Sequence, residues 1–328
     1  MLNAGLSRRS LMVATAASAF VAATPAILRA KTLRWVGASN AAMSDTTAQA
    51  FDFFAERVTE LTSGQITSDR FHGDALGDDR DHVEGILQGT IQFAAPGAPL
   101  LSGWFNQADI FVYPYVFRDV GHKDRAMTAI IDDFSERMLE TVPLRILGAI
   151  PRMGRHITSN TTIVTPADIK GLKIRTPQTP MWVKAFEKFG AAPTPLPFPE
   201  VFSSLQTRVI DGQENPLATS FQNGLFAANK KLALSEHMFA DNVVVIGNSV
   251  YSSLDDAQRA TLHRAAREME DEFRPKVQAG EADLIEKVKA EEVEVNEVDK
   301  QAFAATVTDL HLEFPHVTEW VKRIHSIA

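Results

Sequence analysis

Short apolar segments alternate with helical patterns along the first third of the chain. Between Phe51 and Leu61 apolar residues recur every three or four positions, which predicts an amphipathic helix that starts near Ser44 and ends before Gly64. In order, the predicted elements are a strand at 33–39, this helix, a strand with the sequence QITSDRF, a helix at 76–90 and a strand at 91–96. Such an alternation is typical of a sheet flanked by helices.

The second half of the chain repeats this alternation. The strand LKIR (172–175) leads to a helix with Thr179 as N-cap, Pro180 in its first turn and Gly190 just past its end. The other predicted segments are strands at 144–150, 209–216 and 243–249, a short helix at 165–171 and a proline-rich connector at 191–199.

The longest predicted helix opens at Ser253, with Asp256 placed for a capping box. Its pattern continues through Arg274, and Pro275 is expected to kink or interrupt it. No repeat or low-complexity linker divides the chain. We therefore expect two α/β domains that exchange strands rather than two domains on one tether.

The first thirty residues have the composition of an export signal. SRRS (7–10) precedes an Ala-rich apolar run at 11–23 that is too short to span a bilayer as a mature helix. The paired arginines favour a twin-arginine signal, and an ordinary secretory signal is the alternative. We expect cleavage after Ala30, or after Ala26. The sequence thus predicts a signal peptide at 1–30 and a mature protein in the periplasm.

The charge balance and the lack of cysteine limit the kinds of binding partner and chemistry that the chain can have. Without that signal, which holds three arginines and no acid, the chain has 30 Lys and Arg against 41 Asp and Glu. This excess of acid disfavours nucleic acid and anionic membranes as partners. The chain has no cysteine, which excludes thiol catalysis, Cys-ligated zinc and a lipid-modified N-terminal cysteine. A monomer is the default expectation.

Common enzyme motifs are missing from the sequence. GASNA (37–41) follows a strand, as a nucleophile elbow would, but it lacks the final Gly of GxSxG. The chain has no GxGxxG, P-loop or HExxH motif, and its nine histidines form no pair at i, i+4 spacing. The sequence therefore supports neither an enzyme nor a cofactor or metal site.

Two arginines and two amides remain as candidate chemistry. A lone arginine at a strand end is usually a surface residue, but ligands of open α/β sheets bind beyond the carboxyl ends of strands. Arg175 ends the strand LKIR, Gln178 lies in the following turn, Asn215 ends another strand, and Arg155 follows the strand at 144–150. Because a guanidinium binds a carboxylate through two parallel hydrogen bonds, these residues predict an anion site.

Around these residues the sequence resembles the DctP-type solute-binding proteins of TRAP (tripartite ATP-independent periplasmic) transporters. The resemblance covers nearly all of the mature chain. It is carried by GLKIRTP (171–177), GAAPTPLPFPEVFSSLQT (190–207) and VIDGQENPL (209–217), with support from FHGDALGDDRDHVEGILQGTI (71–91) and GRHITSN (154–160).

The resemblance implies a two-lobed α/β periplasmic binding protein of type II-like architecture. Its lobes are joined by strand crossovers and a long connecting helix, and the ligand lies in the interlobe cleft. By that analogy the first lobe comprises residues 31–152 plus 241–280. The second lobe comprises residues 153–240 plus 281–328.

The resemblance also implies ligand-binding residues in the second lobe. The family's carboxylate-binding arginine matches Arg175, its second arginine matches Arg155, and the amide of its QENP segment matches Asn215. Gln178 falls at a polar ligand contact and Phe198 at a ring packed on the ligand. Phe198 could also be plain core.

In the first lobe, Ser39, Asn40 and Asp79 lie in segments that can reach a ligand, although Asp79 could be only a helix-start charge. The family's sialic-acid binders carry an acidic residue after the strand that matches 91–95. Here Pro96, Gly97 and Ala98 occupy that place, which argues against a sialic-acid ligand.

The function so implied is capture of a small organic acid by an arginine–carboxylate clamp and lobe closure, for import by TRAP membrane subunits driven by an ion gradient. A sugar acid, a hydroxy or keto acid and a C4-dicarboxylate all fit one anchoring arginine. The alternatives are an exported enzyme on the same scaffold and a ligand sensor for a membrane receptor.

Overall fold

The computed structural model describes residues 32–73 and 75–328, so the predicted signal peptide at 1–30 lies outside the described residues. The strands are β1 (Leu33–Ser39), β2 (Ile66–His72), β3 (Phe93–Ala94), β4 (Leu144–Ile150), β5 (Arg155–Ser159), β6 (Lys173–Thr176), β7 (Ala192–Pro195), β8 (Gly212–Pro216), β9 (Lys231–Leu234), β10 (Asn242–Gly247) and β11 (Glu294–Glu297).

The helices are α1 (Thr46–Leu61), α2 (Asp79–Gln88), α3 (Val120–Leu139), α4 (Pro180–Phe189), α5 (Val201–Gln206), α6 (Leu217–Gln222), α7 (Asn248–Ser252), α8 (Asp256–Ala290), α9 (Lys300–Ala305), α10 (Leu310–Glu313) and α11 (Thr318–His325). Short 3-10 turns connect several of them, among them Ala98–Gly103, Asn106–Val112 and Phe198–Glu200.

The strands form two mixed sheets. The first sheet has the order β2-β1-β3-β10-β4, in which β1 is parallel to both neighbours and β10 is antiparallel to β3 and β4. The second sheet has the order β11-β9-β5-β8-β6-β7, with β5 antiparallel to its neighbours and β6 parallel to β7 and β8. β10, β5 and β8 are buried along their whole length, as expected of strands covered on both faces.

Within the described residues the chain passes from one sheet to the other at three places. Residues 151–154 lead from β4 to β5, residues 235–241 lead from β9 to β10, and α8 leads back to β11. Helix α8 packs against α1 and β4 beside the first sheet and against α6 beside the second. The predicted strand crossovers and long connecting helix are therefore confirmed.

A kink or an interruption was expected at Pro275; helix α8 is not interrupted there and runs for 35 residues. Met269 and Phe273 are buried before the proline and Val288 after it, so packing on both sides holds the helix together despite the lost backbone hydrogen bond. The helix also begins later than expected: its N-cap is Asp255, which exchanges capping-box hydrogen bonds with Gln258.

Two other expectations were wrong. Segment 165–171 forms turns rather than a helix, because the Asp168 carboxylate accepts hydrogen bonds from the backbone N–H groups of Val164 and Thr165. Part of the proline-rich connector is β7, an edge strand paired with β6. An edge position tolerates proline because one side of the strand need not donate to a neighbour.

The C-terminal helix α11 contacts helix α3. α11 falls in the second lobe by sequence, yet the Trp320 ring lies 5.3 Å from the Phe134 ring of α3. Arg323 of α11 donates to the backbone carbonyl of Ala129 at 3.1 Å. Because α3 packs against β4, this helix is attached beside the first sheet, and the lobe boundaries stay a prediction.

Candidate ligand-binding site

Arg175 is the third residue of β6, between β8 and β7 in the second sheet, and it is only 4% exposed. Its Nε donates a hydrogen bond of 2.9 Å to the carbonyl oxygen of Leu196. Its Cζ lies 5.8 Å from the centroid of the Phe198 ring. The segment that follows β7 therefore fixes the guanidinium from one side.

In the part of the chain that the structure describes, this guanidinium has no carboxylate partner. Among residues 32–73 and 75–328, no acidic side chain lies within ion-pair distance of Arg175, and its two terminal nitrogens have no hydrogen-bond acceptor in the protein. Burial lowers the pKa of Arg175 to about 10, although the nearby Glu214 raises it. The side chain therefore stays charged at neutral pH, with donors available to an anion.

Arg155, by contrast, is already neutralised by Glu214. Its Nε donates to Oε2 of Glu214 at 2.5 Å and its Nη2 donates to Oε1 at 2.8 Å. Burial would raise the pKa of Glu214, but Arg155 and a hydrogen bond from His237 hold it down to about 2. The Trp182 ring covers Arg155 with its centroid 5.1 Å from Cζ.

Asn215 is held in a chain of side-chain hydrogen bonds. Its Oδ1 accepts from Nη2 of Arg155 at 2.9 Å, and its Nδ2 donates to Oε1 of Gln213 at 2.6 Å. Gln213 in turn donates to the hydroxyls of Thr158 and Ser220. The amide of Asn215 is thereby fixed in place, and the Asn215–Arg155 bond connects it with the arginine pair.

Gln178 does not join this group. It is exposed, and it lines a surface cavity together with Val183 and Glu187 of α4 and Glu313 of α10. Within the described chain no hydrogen bond connects it with Arg175. Its predicted contact with a ligand would require a ligand that extends to this rim.

The residues predicted from the first sheet lie at the ends of their elements. Ser39 is buried at the end of β1, and the exposed Asn40 follows it. Asp79 is the first residue of α2, and its Oδ2 accepts a hydrogen bond of 3.2 Å from the backbone N–H of Gly97. Asp79 thus contacts the segment 96–98.

Arg152, in the crossover between β4 and β5, was not predicted from the sequence as a site residue. Its Nη1 donates to Oδ1 of Asn242 at 3.2 Å and its Nη2 donates to the hydroxyl of Thr219 at 2.7 Å. It lies three residues before Arg155, and that spacing in PRMGR was the one signal available. Burial lowers the pKa of Arg152, and Asp45 is the foremost of several carboxylates that raise it.

Other kinds of site are not seen in the part of the chain that the structure describes. No group of three or more His, Asp or Glu side chains there is arranged to hold a metal ion. None of the helices in these residues combines the length and the apolar character that a membrane crossing needs.

Comparison with known proteins settles the family. The model of the DctP family, described as bacterial extracellular solute-binding protein, family 7, matches residues 37–316. This chain belongs to the DctP family. Its resemblance to the TRAP solute-binding proteins is confirmed, and with it the two-lobed α/β fold class.

Relatives of this DctP protein bind acids. It is 30% identical over 298 residues to the 2,3-diketo-L-gulonate-binding periplasmic protein YiaO of Escherichia coli, with 90% of each chain covered. It is 30% identical over 264 residues to the sialic acid-binding periplasmic protein SiaP of Vibrio cholerae, covering 79% of this chain and 81% of SiaP.

A solved structure shows the same fold. The TRAP periplasmic solute-binding protein from Chromohalobacter salexigens with bound D-glucuronate matches with a TM-score of 0.84 at 26% identity. The match covers 90% of this chain and 100% of that one.

Proposed function

We propose that this DctP protein is the periplasmic receptor of a TRAP transporter and that it binds a small sugar acid through one carboxylate group. The observation that carries the proposal is the state of Arg175, which is buried and charged but has no carboxylate partner among residues 32–73 and 75–328. Burying a charge without a partner is unfavourable, so such a residue is retained where a ligand supplies the opposite charge.

The groups around Arg175 suit a carboxylate that bonds to its two terminal nitrogens. Phe198 and Leu196 hold the guanidinium from behind, so little side-chain freedom is lost when the ligand arrives. Asn215 is fixed by Gln213 and Arg155, and its amide can contact a ligand hydroxyl or the second carboxylate oxygen.

A ligand with one acid group fits this charge distribution better than a C4-dicarboxylate. Arg155 is the second arginine of the site, and Glu214 already compensates its charge. On the opposite side of the proposed cleft lies the Asp79 carboxylate, an acceptor that suits a ligand hydroxyl better than a second carboxylate. Relatives that bind D-glucuronate and 2,3-diketo-L-gulonate support a polyhydroxylated acid.

Binding is coupled to closure of the two lobes in this proposal. Contacts from Arg175, Arg155, Asn215 and Phe198 on one side and from Asn40 and Asp79 on the other are made together only when the lobes close. A ligand that touches both sides therefore shifts the population to the closed form. The membrane subunits would recognise that form and import the solute with an ion gradient.

A thermal-shift and calorimetry screen of the mature protein tests this function. The probes are D-glucuronate, L-galactonate, 2,3-diketo-L-gulonate, succinate and sialic acid, with D-glucose as the control that lacks a carboxylate. We expect a sugar acid to raise the melting temperature and D-glucose to have no effect. Sialic acid is expected to fail because Pro96, Gly97 and Ala98 replace the acidic position.

The Arg175 variants give the decisive comparison. Arg175→Ala should weaken binding of the best probe by about a hundredfold or more, and Arg175→Lys should recover only part, since lysine cannot form the two parallel bonds. Unchanged affinity in Arg175→Ala, or turnover of the bound acid, would contradict the proposal.

A further inference from the structure

The side chain of Arg152 bridges the two sheets beside the crossovers. Arg152 lies just after β4 of the first sheet. The Thr219 hydroxyl that it contacts lies on α6, directly after β8 of the second sheet. The Nη2–Oγ1 distance of 2.7 Å is that of a strong charge-assisted hydrogen bond.

The backbone of Arg152 is fixed to the first sheet's side of this gap. Its backbone N–H donates to Oδ1 of Asp241 at 2.8 Å, and its carbonyl accepts from Nζ of Lys123 at 3.3 Å. Lys123 and Asp241 are themselves a buried ion pair at 2.9 Å. The base of the Arg152 side chain therefore cannot follow the second sheet if the sheets move apart.

The other terminal nitrogen of the guanidinium is bonded to the first residue of β10, an inner strand of the first sheet. Nη1 donates to Oδ1 of Asn242, and Nδ2 of Asn242 donates to the carbonyl of Ala95 at 2.8 Å. Ala95 directly precedes the segment 96–98, whose Gly97 is bonded to Asp79. A series of hydrogen bonds, together with the backbone between Ala95 and Gly97, thus connects Asp79 with Arg152. Of the bonds in this series, only the one from Arg152 to Thr219 reaches an element beside the second sheet.

We propose that Arg152 is a positioning residue for ligand binding, which latches the two lobes in the arrangement seen here through its hydrogen bond to Thr219. Rotation of one lobe about the crossovers breaks that bond while the bonds to Asn242, Asp241 and Lys123 persist. The bond therefore favours the arrangement in which the Asp79 side and the Arg175 side face each other. This inference rests on the proposed function, because it assumes that a solute binds between the lobes.

Thr219 is the better residue to change, because Arg152 also lies among carboxylates and its removal could unfold the crossover. Thr219→Val keeps the shape and removes the acceptor, whereas Thr219→Ser keeps the acceptor. With the sugar acid selected by the screen as probe, we expect Thr219→Val to bind about tenfold more weakly. The loss should lie in faster dissociation, measured by stopped flow, and Thr219→Ser should bind as the wild type does.

A distance measurement separates a latch from a merely structural role. The chain has no cysteine, so Leu87→Cys on α2 and Val209→Cys before β8, both exposed positions, give one spin-label pair across the sheets. In ligand-free protein Thr219→Val should broaden the distance distribution toward longer separations, and Thr219→Ser should not. Wild-type dissociation and distances in Thr219→Val, or equal defects in both variants, would overturn the latch. If Arg175→Ala still abolishes binding in that case, the proposed function stands without it.

Discussion

Arg155 and Glu214 form a bidentate ion pair in which both side chains are almost completely buried, with 8% and 0% exposure. The pair supports the candidate site in two ways. It fixes Arg155 next to Asn215, and it places one negative charge near Arg175 without reaching it. Because Glu214 neutralises Arg155, Arg175 carries the positive charge that is available to a ligand.

Glu214→Gln should destabilise the protein by about 3–5 kcal/mol in urea unfolding, because Arg155 loses its buried countercharge. The pKa of Glu214 in the folded protein, about 2, lies below its ordinary value of 4.5. Its stabilisation is therefore complete above about pH 4.5 and is lost as the pH falls toward 2. The difference in unfolding free energy between wild type and variant should therefore shrink as the pH falls over that range. Asp69→Asn, which breaks the exposed pair with Arg34, is the control and should leave the urea midpoint nearly unchanged.

Arg175→Met should abolish carboxylate binding and yet stabilise the ligand-free protein. Arg175 is a buried cation that no carboxylate among the described residues pairs with, so replacing it with an apolar side chain of similar length removes a desolvation cost, by roughly 1–3 kcal/mol. Urea unfolding without and with the sugar acid measures both effects. A destabilised Arg175→Met that loses no affinity would show that Arg175 has a structural role instead.

Phe198→Leu should weaken binding by about three- to tenfold, because the ring holds the Arg175 guanidinium and contributes a cation–π contact. The matched control is Phe202→Leu, four residues along on α5, where the ring is 36% exposed. Calorimetry of the two variants should give different affinities. Equal affinities would mean that Phe198 only packs against the apolar residues of α5, such as Val201 and Leu205, and does not support the ligand site.

Glu270→Gln should make stability less sensitive to pH. Burial raises the pKa of Glu270 on α8 to about 7, from 4.5, and its Oε1 accepts from the backbone N–H of Ala149 at 2.7 Å. Between about pH 4.5 and 7 the unfolded chain has lost this proton and the folded chain still holds it, so stability falls as the pH rises.

Glutamine keeps the acceptor and cannot ionise, so above about pH 7 the Glu270→Gln variant should be more stable than wild type by on the order of 3 kcal/mol. The two proteins should converge near pH 4.5. Glu286→Gln, at an exposed position of the same helix, is the control and should follow the wild type at every pH. If the difference in unfolding free energy between the two proteins is the same at every pH, the pKa of Glu270 is not raised in the folded protein.

The sequence predicted those parts of the fold that depend on local pattern. The helix from Pro180 to Phe189 ends at Gly190 in the left-handed conformation, at φ 98°, as the glycine indicated. The segments that went wrong depend on contacts far along the chain. α8 stays helical through Pro275 because α1, β4 and α6 pack against it, and β7 is a strand because it pairs with β6.

The site was predictable only in part for the same reason. The strand-end position and the family resemblance both pointed to Arg175, whose burial is now evident. Neither indicated that Glu214 neutralises Arg155, because that pairing depends on the antiparallel register of β5 and β8. Arg152 was missed because its partners Thr219 and Asn242 lie 67 and 90 residues away in the chain.

The outer edge of β7 determines whether a strand of another molecule can pair with the second sheet there. The backbone N–H groups of Ala192 and Leu196 donate inward to the β6 side, so the alternate positions, Pro193 and Pro195, face outward. Neither proline has an N–H to offer. A strand from another molecule therefore meets an edge that cannot complete a hydrogen-bonded ladder, which protects the protein from edge-to-edge association at β7.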